Sequence, residues 1–311
     1  MKNSTGKNIT SITRLAKLVG AGLLAVAANH AYAGPVIIDG TDANDHGSFN
    51  GTSNVSGWLY MQRVLENLAA AVNPAATKVV VDLGTSSSQA RNAIDSAFTN
   101  SSLPGAGWTL NHVDGDAAID TWLTGISTAN TGILYIPTKG NASGDLTQAE
   151  LDKINLHATD INNFVGGAGN AALGGGLFSM AETGTGAYGW LASLIPGIIF
   201  TDVGGGGIGT NITLTAAGNT AFGGGLTNAD LAGADPWHGY FSGNLGGLSV
   251  LGVANDNQGV SRNLIIGGGA GTQIGCGLPG QPACAVPEPI TLSLLGIGLL
   301  GLFATRRVKY C

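Results

Sequence analysis

Three aspartates in a short polar stretch are well suited to binding a ligand. Asp39, Asp42 and Asp45 lie within DGTDANDH, directly after the apolar residues 36–38. Oxygen atoms at this density could hold a calcium ion, although the spacing differs from that of the EF-hand loop. No other cofactor is predicted. Aspartate and asparagine also favour turns, so a solvated turn is the alternative to a metal site.

The same aspartates could serve a different ligand. Together with aromatic residues such as Trp58 and Trp237, they are candidates for contacts with a sugar. A carbohydrate-binding module is therefore a second hypothesis for the exported domain.

A further group has the residue types needed for hydrolysis. Ser179 could be a nucleophile, His238 its base, and Glu182 the group that orients the base or donates a proton. Neither G-x-S-x-G nor a histidine-anchored motif accompanies these residues. Trp237 and His238 could instead be packing and hydrogen-bonding residues, so the sequence favours binding or a structural role over catalysis.

The segments that must position these residues alternate between β-branched apolar runs and longer amphipathic stretches. Strands are expected at 36–39, 78–83, 109–113, 132–136, 174–180, 198–203, 212–214, 248–253 and 264–266. Helices are expected at 58–72, 87–98, 117–123 and 147–165, the last beginning with a possible capping box. This order predicts an α/β fold with a mostly parallel sheet, and it places Asp39 where open parallel sheets bind ligands.

The charge of the segment between the two ends of the chain limits its partners. Residues 34–285 contain 6 lysines and arginines against 18 aspartates and glutamates, which gives a net charge of 6 minus 18, or −12. Such a surface repels phosphate backbones and anionic headgroups, so nucleic acid is not an expected partner. About 250 residues are enough for one core, so we expect one domain over 34–270.

The first 33 residues have the features of a signal peptide. A basic leader precedes the apolar run 18–28, which is too short to span a membrane. Ala31 and Ala33 form a small-x-small cleavage site that would leave Gly34 as the new terminus. The sequence therefore predicts export by the secretion machinery.

The last residues combine a short motif, an apolar segment and a basic end. Val286, Pro287, Glu288 and Pro289 precede the uncharged residues 290–305, which predict one transmembrane helix. Arg306 and Arg307 follow and belong on the cytoplasmic side, which leaves the domain outside the inner membrane. An ordinary single-pass anchor is the alternative.

A Gly- and Pro-rich stalk at 271–285 precedes this segment. Cys276 and Cys284 flank a turn-forming sequence within it. Their proximity in an oxidising compartment predicts a disulfide loop, and two free thiols are the alternative.

The tail at 286–311 resembles the PEP-CTERM sorting signal of Gram-negative bacteria. Pro287, Glu288 and Pro289 fit the family's tripeptide, and Arg306 and Arg307 fit its basic end. The resemblance implies an exosortase as partner, processing near the tripeptide, and delivery to the cell surface or an extracellular matrix rich in exopolysaccharide.

The exported domain resembles the class I glutamine amidotransferase-like fold, a flavodoxin-like three-layer sandwich. Its sharpest local match is the sequence GGGLF at 174–178, after a long helix. In that family a cysteine nucleophile follows this strand, whereas residues 179–182 are SMAE. Tyr240 stands where the resemblance implies an acid two residues after His238. Glutaminase chemistry is therefore not expected, because the thiolate is missing.

Overall fold

Short runs of β-branched and other apolar residues form the parallel strands. The computed structural model describes residues 34–268 except 87, 138, 140–144, 167–173, 182–185, 205–210 and 233–236. The parallel strands, in chain order, are β1 (Val36–Asp39), β4 (Val79–Leu83), β5 (Thr109–Val113), β6 (Ile133–Ile136) and β7 (Gly176–Ser179). They lie side by side in the order β5-β4-β6-β7-β1. Every residue of β1, β6 and β7 is buried, as expected of strands covered on both faces.

Successive residues of each strand point to opposite faces, and helices cover both faces. One face, with Ile37 and Val80, packs against α1 (Gly57–Ala71) and α2 (Ser88–Thr99). The other, with Ile38 and Val81, packs against α3 (Asp116–Thr124), α4 (Gln148–Leu156), α5 (Ala158–Gly166) and α6 (Leu191–Leu194). The α/β class is confirmed, and the layering is consistent with a three-layer sandwich.

The sheet continues beyond β1 with antiparallel strands. β1 pairs with β12 (Ser261–Gly268), so that Val36 lies opposite Gly268. The remaining strands of this half are β8 (Ile198–Asp202), β9 (Thr213–Leu214), β10 (Gly239–Gly243) and β11 (Ser249–Asn255). The sheet is thus mixed as well as mostly parallel, and the helices expected from the sequence pack against its parallel half.

Several short elements were not expected from the sequence. They are the hairpin of β2 (Gly47–Phe49) and β3 (Asn54–Ser56), the helices α6, α7 (Ala216–Ala221) and α8 (Asn228–Ala232), and the strand β10. Each is too short to show a clear period of its own.

The predicted helix over 147–165 is divided into α4 and α5. Its start is confirmed, because Thr147 and Glu150 form the expected capping box. The helix ends at His157, whose backbone leaves the helical conformation with φ −91° and ψ 21°. The side chain of His157 then bonds Asp160 in the first turn of α5, which begins a new helix after the break.

No helix within the described part of 34–268 is long and apolar enough to cross a membrane. The predicted signal peptide at 1–33, the stalk with Cys276 and Cys284, and the tail from 286 onward lie outside the described residues.

Candidate functional site

Polar side chains gather where the parallel strands end. The chain leaves β1 and β4 towards α1 and α2 on one face, and it leaves β6 and β7 towards helices on the other. Such a change of direction opens a crevice at the carboxyl ends of the strands, where α/β proteins bind ligands. We call the polar residues there the carboxyl-end cluster: Asp39, Asp42, Asn44, Asp45, Tyr60, Asp82, Tyr135, Asp145 and His238.

Asp39 is the buried anchor of this cluster at the end of β1. One carboxylate oxygen accepts bonds from the backbone N–H of Thr41 at 2.9 Å and from its hydroxyl at 2.8 Å. The other accepts the hydroxyl of Tyr60 at 2.7 Å. Burial raises the pKa of Asp39 from 3.8 to about 7, although the bonds from Tyr60 and Thr41 oppose this rise. Asp39 can therefore carry a proton near neutral pH.

Asp42 joins two histidines. Its carboxylate lies 3.1 Å from Nε2 of His238 and 3.4 Å from Nε2 of His46. The hydrogen bond that His46 makes to Asp42 raises the pKa of His46, and burial opposes this rise. Nδ1 of His238 faces the carbonyl oxygen of Gly204 at 3.1 Å, so both ring nitrogens of His238 face acceptors. Hydrogen bonds therefore occupy both ring nitrogens of His238.

Asp82, near the end of β4, anchors another histidine, His112. Its buried carboxylate accepts the hydroxyl of Thr85 and lies 2.7 Å from Nδ1 of His112. Burial raises the pKa of Asp82, against the effect of these two bonds. Nε2 of His112 lies 3.1 Å from Asp95, so the imidazole is held between two carboxylates.

Tyr135 lies in the middle of the cluster with an unused hydroxyl. Its ring stacks on Phe178 with centroids 5.1 Å apart, and its buried hydroxyl has no hydrogen-bond partner within the described residues. Burial raises the pKa of Tyr135 well above its ordinary value, and the charges of Asp82, Asp145 and other aspartates of the cluster add to this. Oδ1 of Asp82 is also buried without a partner in the described part of the chain. Buried polar atoms of this kind call for a water, an ion or a ligand group.

The predicted hydrolytic residues are not joined by hydrogen bonds where the structure describes them. His238 bonds Asp42 and Gly204. The Oγ atom of Ser179 is buried without a partner among the described residues, and its carbonyl oxygen accepts the hydroxyl of Tyr188 at 3.0 Å. Glu182 lies outside the described residues. The catalytic set therefore stays a prediction.

The predicted cation ligands are in part engaged by protein groups. Thr41 and Tyr60 occupy the carboxylate of Asp39, and the two histidines contact that of Asp42. In the described ranges, no group of three or more His, Cys, Asp or Glu side chains is arranged to hold a metal ion. A calcium site at Asp39, Asp42 and Asp45 stays a prediction.

The two aromatic residues considered for carbohydrate binding differ in exposure. Trp237 is fully buried with its ring 6.3 Å from that of Tyr240, so it packs in the core. Trp58 is half-buried and donates its indole N–H to the carbonyl oxygen of Asn44 at 2.8 Å. A sugar contact at Trp58 stays a prediction.

The sequence alone does not identify four members of the carboxyl-end cluster: Tyr60, Asp82, Tyr135 and Asp145. Asp82 follows three valines and Tyr135 lies inside an apolar run, so both resemble parts of ordinary strands. The position of Asp82 near the carboxyl end of a buried strand is the one signal that could have identified it.

The tail gives a match to a known family. Residues 285–308 match the PEP-CTERM protein-sorting motif. This motif implies an exported protein with a C-terminal, membrane-anchored sorting signal that an exosortase processes. The described domain ends before it at Gly268, which lies beside Val36 at the end of the sheet opposite the carboxyl-end cluster.

No curated protein and no solved structure shows a significant match to the chain. The resemblance of the domain to the amidotransferase-like fold therefore stays a prediction, although the α/β class is confirmed.

Proposed function

We propose that the protein is secreted, sorted by an exosortase through its PEP-CTERM motif, and displayed at the cell surface or in an extracellular matrix that contains exopolysaccharide. The match at 285–308 carries this proposal. The basic leader, the short apolar run and the site at Ala31 and Ala33 support removal of a signal peptide. A disulfide between Cys276 and Cys284 would suit the oxidising compartment that the stalk enters.

The mass of the protein from its native host tests the sorting step. In cells with the exosortase we expect loss of the leader and of the segment after about Pro289. In cells without the exosortase the tail should remain, and the protein should stay in the membrane fraction.

Substitution within the motif separates sorting from simple anchoring. Glu288→Ala keeps the apolar residues 290–305 and the basic end, yet it should block processing. Asp152→Ala, at an exposed position of α4, is the matched control and should be processed normally. If the tail stays intact in the inner membrane of cells with and without the exosortase, the protein is an ordinary anchored domain.

For the domain itself we propose a binding or structural role. Its support is the geometry of His238, whose two nitrogens face Asp42 and Gly204. A general base needs a free nitrogen near the nucleophile that it activates. Labelling of Ser179 by a serine-reactive probe would favour the hydrolase instead.

A calcium-binding module is the second candidate for the domain. The aspartates of the carboxyl-end cluster favour it, because carboxylate oxygens suit this ion and Oδ1 of Asp82 has no partner within the described residues. The measurement is the melting temperature with calcium and with a chelator. A rise with calcium that Asp45→Asn abolishes would support the module, and equal melting temperatures would exclude it.

A further inference from the structure

A groove at the edge of the sheet has a lining suited to a ligand. It has a volume of about 730 Å³ and lies between β5 and α3. Its polar and aromatic lining consists of Asn111, His112, Asp114, Thr121, Trp122 and Asn130. Small-molecule sites commonly enclose ~300–1,000 Å³, so the groove is large enough for one.

Two side chains of the groove are already fixed in place. The indole N–H of Trp122 donates to the hydroxyl of Thr131 at 3.2 Å. The side-chain amide of Asn130 donates to the carbonyl oxygen of Gly125 at 2.9 Å, while its oxygen accepts the backbone N–H of Ser127. A rigid lining lowers the entropy cost of binding.

Two polar side chains remain available to a ligand. Within the described residues, the side chains of Asn111 and Asp114 make no hydrogen bond and no ion pair. An amide both donates and accepts, and a carboxylate accepts from two hydroxyls. Thr121 donates its hydroxyl to the carbonyl oxygen of Ala117, so towards the groove it offers only lone pairs.

The charge of the groove restricts the ligand further. None of its lining residues is a lysine or arginine, and Asp114 adds a negative charge. A phosphate or uronate ligand would therefore be repelled. The ligand should combine an apolar face for Trp122 with several hydroxyl donors for Asn111, Asp114 and Thr121.

We propose that this groove binds a neutral saccharide, with one sugar ring lying against Trp122 and its hydroxyls bonded to Asn111 and Asp114. A pyranose ring has the required apolar C–H face and a rim of hydroxyl donors. The proposal is independent of the sorting step, because every residue that it uses lies in the folded domain.

Isothermal titration of the full chain, in a detergent without a sugar headgroup, tests the proposal. The probes are cellohexaose, maltohexaose and laminarihexaose, with hexagalacturonate as the charged comparison. We expect at least one neutral probe to bind with a Kd below ~1 mM and hexagalacturonate not to bind. Trp122→Ala should weaken binding by at least ~10-fold, whereas Trp122→Phe should retain most of it.

Further variants distinguish a loss of binding from a loss of folding. Asn111→Ala and Asp114→Asn change polar groups at the groove and should each weaken binding several-fold. Phe49→Ala removes an exposed aromatic on β2 and is the control that should bind normally. The proposal is wrong if none of the neutral probes binds, or if the groove variants bind as tightly as the original protein.

Discussion

At the scale of single residues, Asp39 shows how burial determines the chemistry of a side chain. The sequence places it in a polar loop that could be a solvated turn, yet its side chain is fully buried and accepts three hydrogen bonds. Desolvation disfavours the carboxylate more than these bonds stabilise it, so the pKa of Asp39 rises to about 7.

This shift predicts a pH dependence of stability. The folded domain keeps a proton on Asp39 at pH values where the unfolded chain has lost it. The stabilisation that protonated Asp39 adds to the free energy of unfolding is therefore complete below about pH 4, and it is lost as the pH rises towards 7. Asp39→Asn keeps an oxygen for Thr41, turns its NH2 group towards the Tyr60 hydroxyl, which can accept, and removes the titration, so it should flatten this dependence by about 2–4 kcal/mol.

Urea unfolding between about pH 4 and pH 8 measures the effect of Asp39→Asn. Asp116→Asn, at an exposed position in the first turn of α3, is the control and should follow the original protein. Parallel pH curves for Asp39→Asn and the original protein would show that Asp39 has an ordinary pKa in the folded state.

At the scale of elements, the junction of α4 and α5 is tied to α3 by one histidine. Nδ1 of His157 lies 2.7 Å from Asp160 on α5, and Nε2 lies 3.1 Å from Asp120 on α3. Burial lowers the pKa of His157, but the bonds to Asp160 and Asp120 outweigh it, so the pKa is raised overall. The imidazolium thus holds three helices together where the predicted single helix is broken.

Substitution of this histidine should act mainly at low pH. Because the pKa of His157 is raised in the folded state, its ion pairs add stability that is fully present below about pH 6.5. This stability is lost as the pH rises through the pKa of His157 in the folded state. We expect His157→Gln to lower the melting temperature more at about pH 6 than at about pH 9. Lys153→Gln removes another partner of Asp120 but leaves the imidazole of His157 in place, so its effect should not show the same dependence on pH. Equal deficits for His157→Gln at both values would contradict the ion pairs.

The loop that follows β1 contacts the start of β10 at Gly40, a residue without a side chain. The carbonyl oxygen of Gly40 accepts the backbone N–H groups of His238 and Gly239, at 2.8 Å and 3.0 Å. A Cβ atom on Gly40 would overlap the carbonyl oxygen of Gly239. This close approach brings His238 to Asp42 in the carboxyl-end cluster.

Gly40→Ala should therefore destabilise the domain by ~1–3 kcal/mol or more. Gly105→Ala is the matched control, because a Cβ there meets no atom within 4 Å, and its effect should stay within ~0.5 kcal/mol. Urea unfolding compares the two, and similar midpoints would show that the two backbones can separate at little cost.

At the scale of the whole molecule, local pattern predicts the parallel half of the sheet better than the antiparallel half. Val79–Leu83 and Ile133–Ile136 are buried apolar runs between helices, and their pairing follows from the alternation of strand and helix. The pairing of β1 with β12 joins segments at opposite ends of the domain, and no local signal specifies it. The carboxyl-end cluster shows the same difference. Asp39 is predicted from its own polar loop, whereas Tyr135 enters the cluster only because of where β6 lies in the strand order.

The pairing of β1 with β12 also determines when the domain can finish folding. β1 is the first strand of the domain and β12 the last, yet Val36 and Gly268 are neighbours in the middle of the sheet. The contact order of the fold is therefore high, and the central ladder cannot close until the last strand is present. β1 therefore stays unpaired on that edge until β12 is available, so a chain that ended before Ser261 would expose an open sheet edge beside β1.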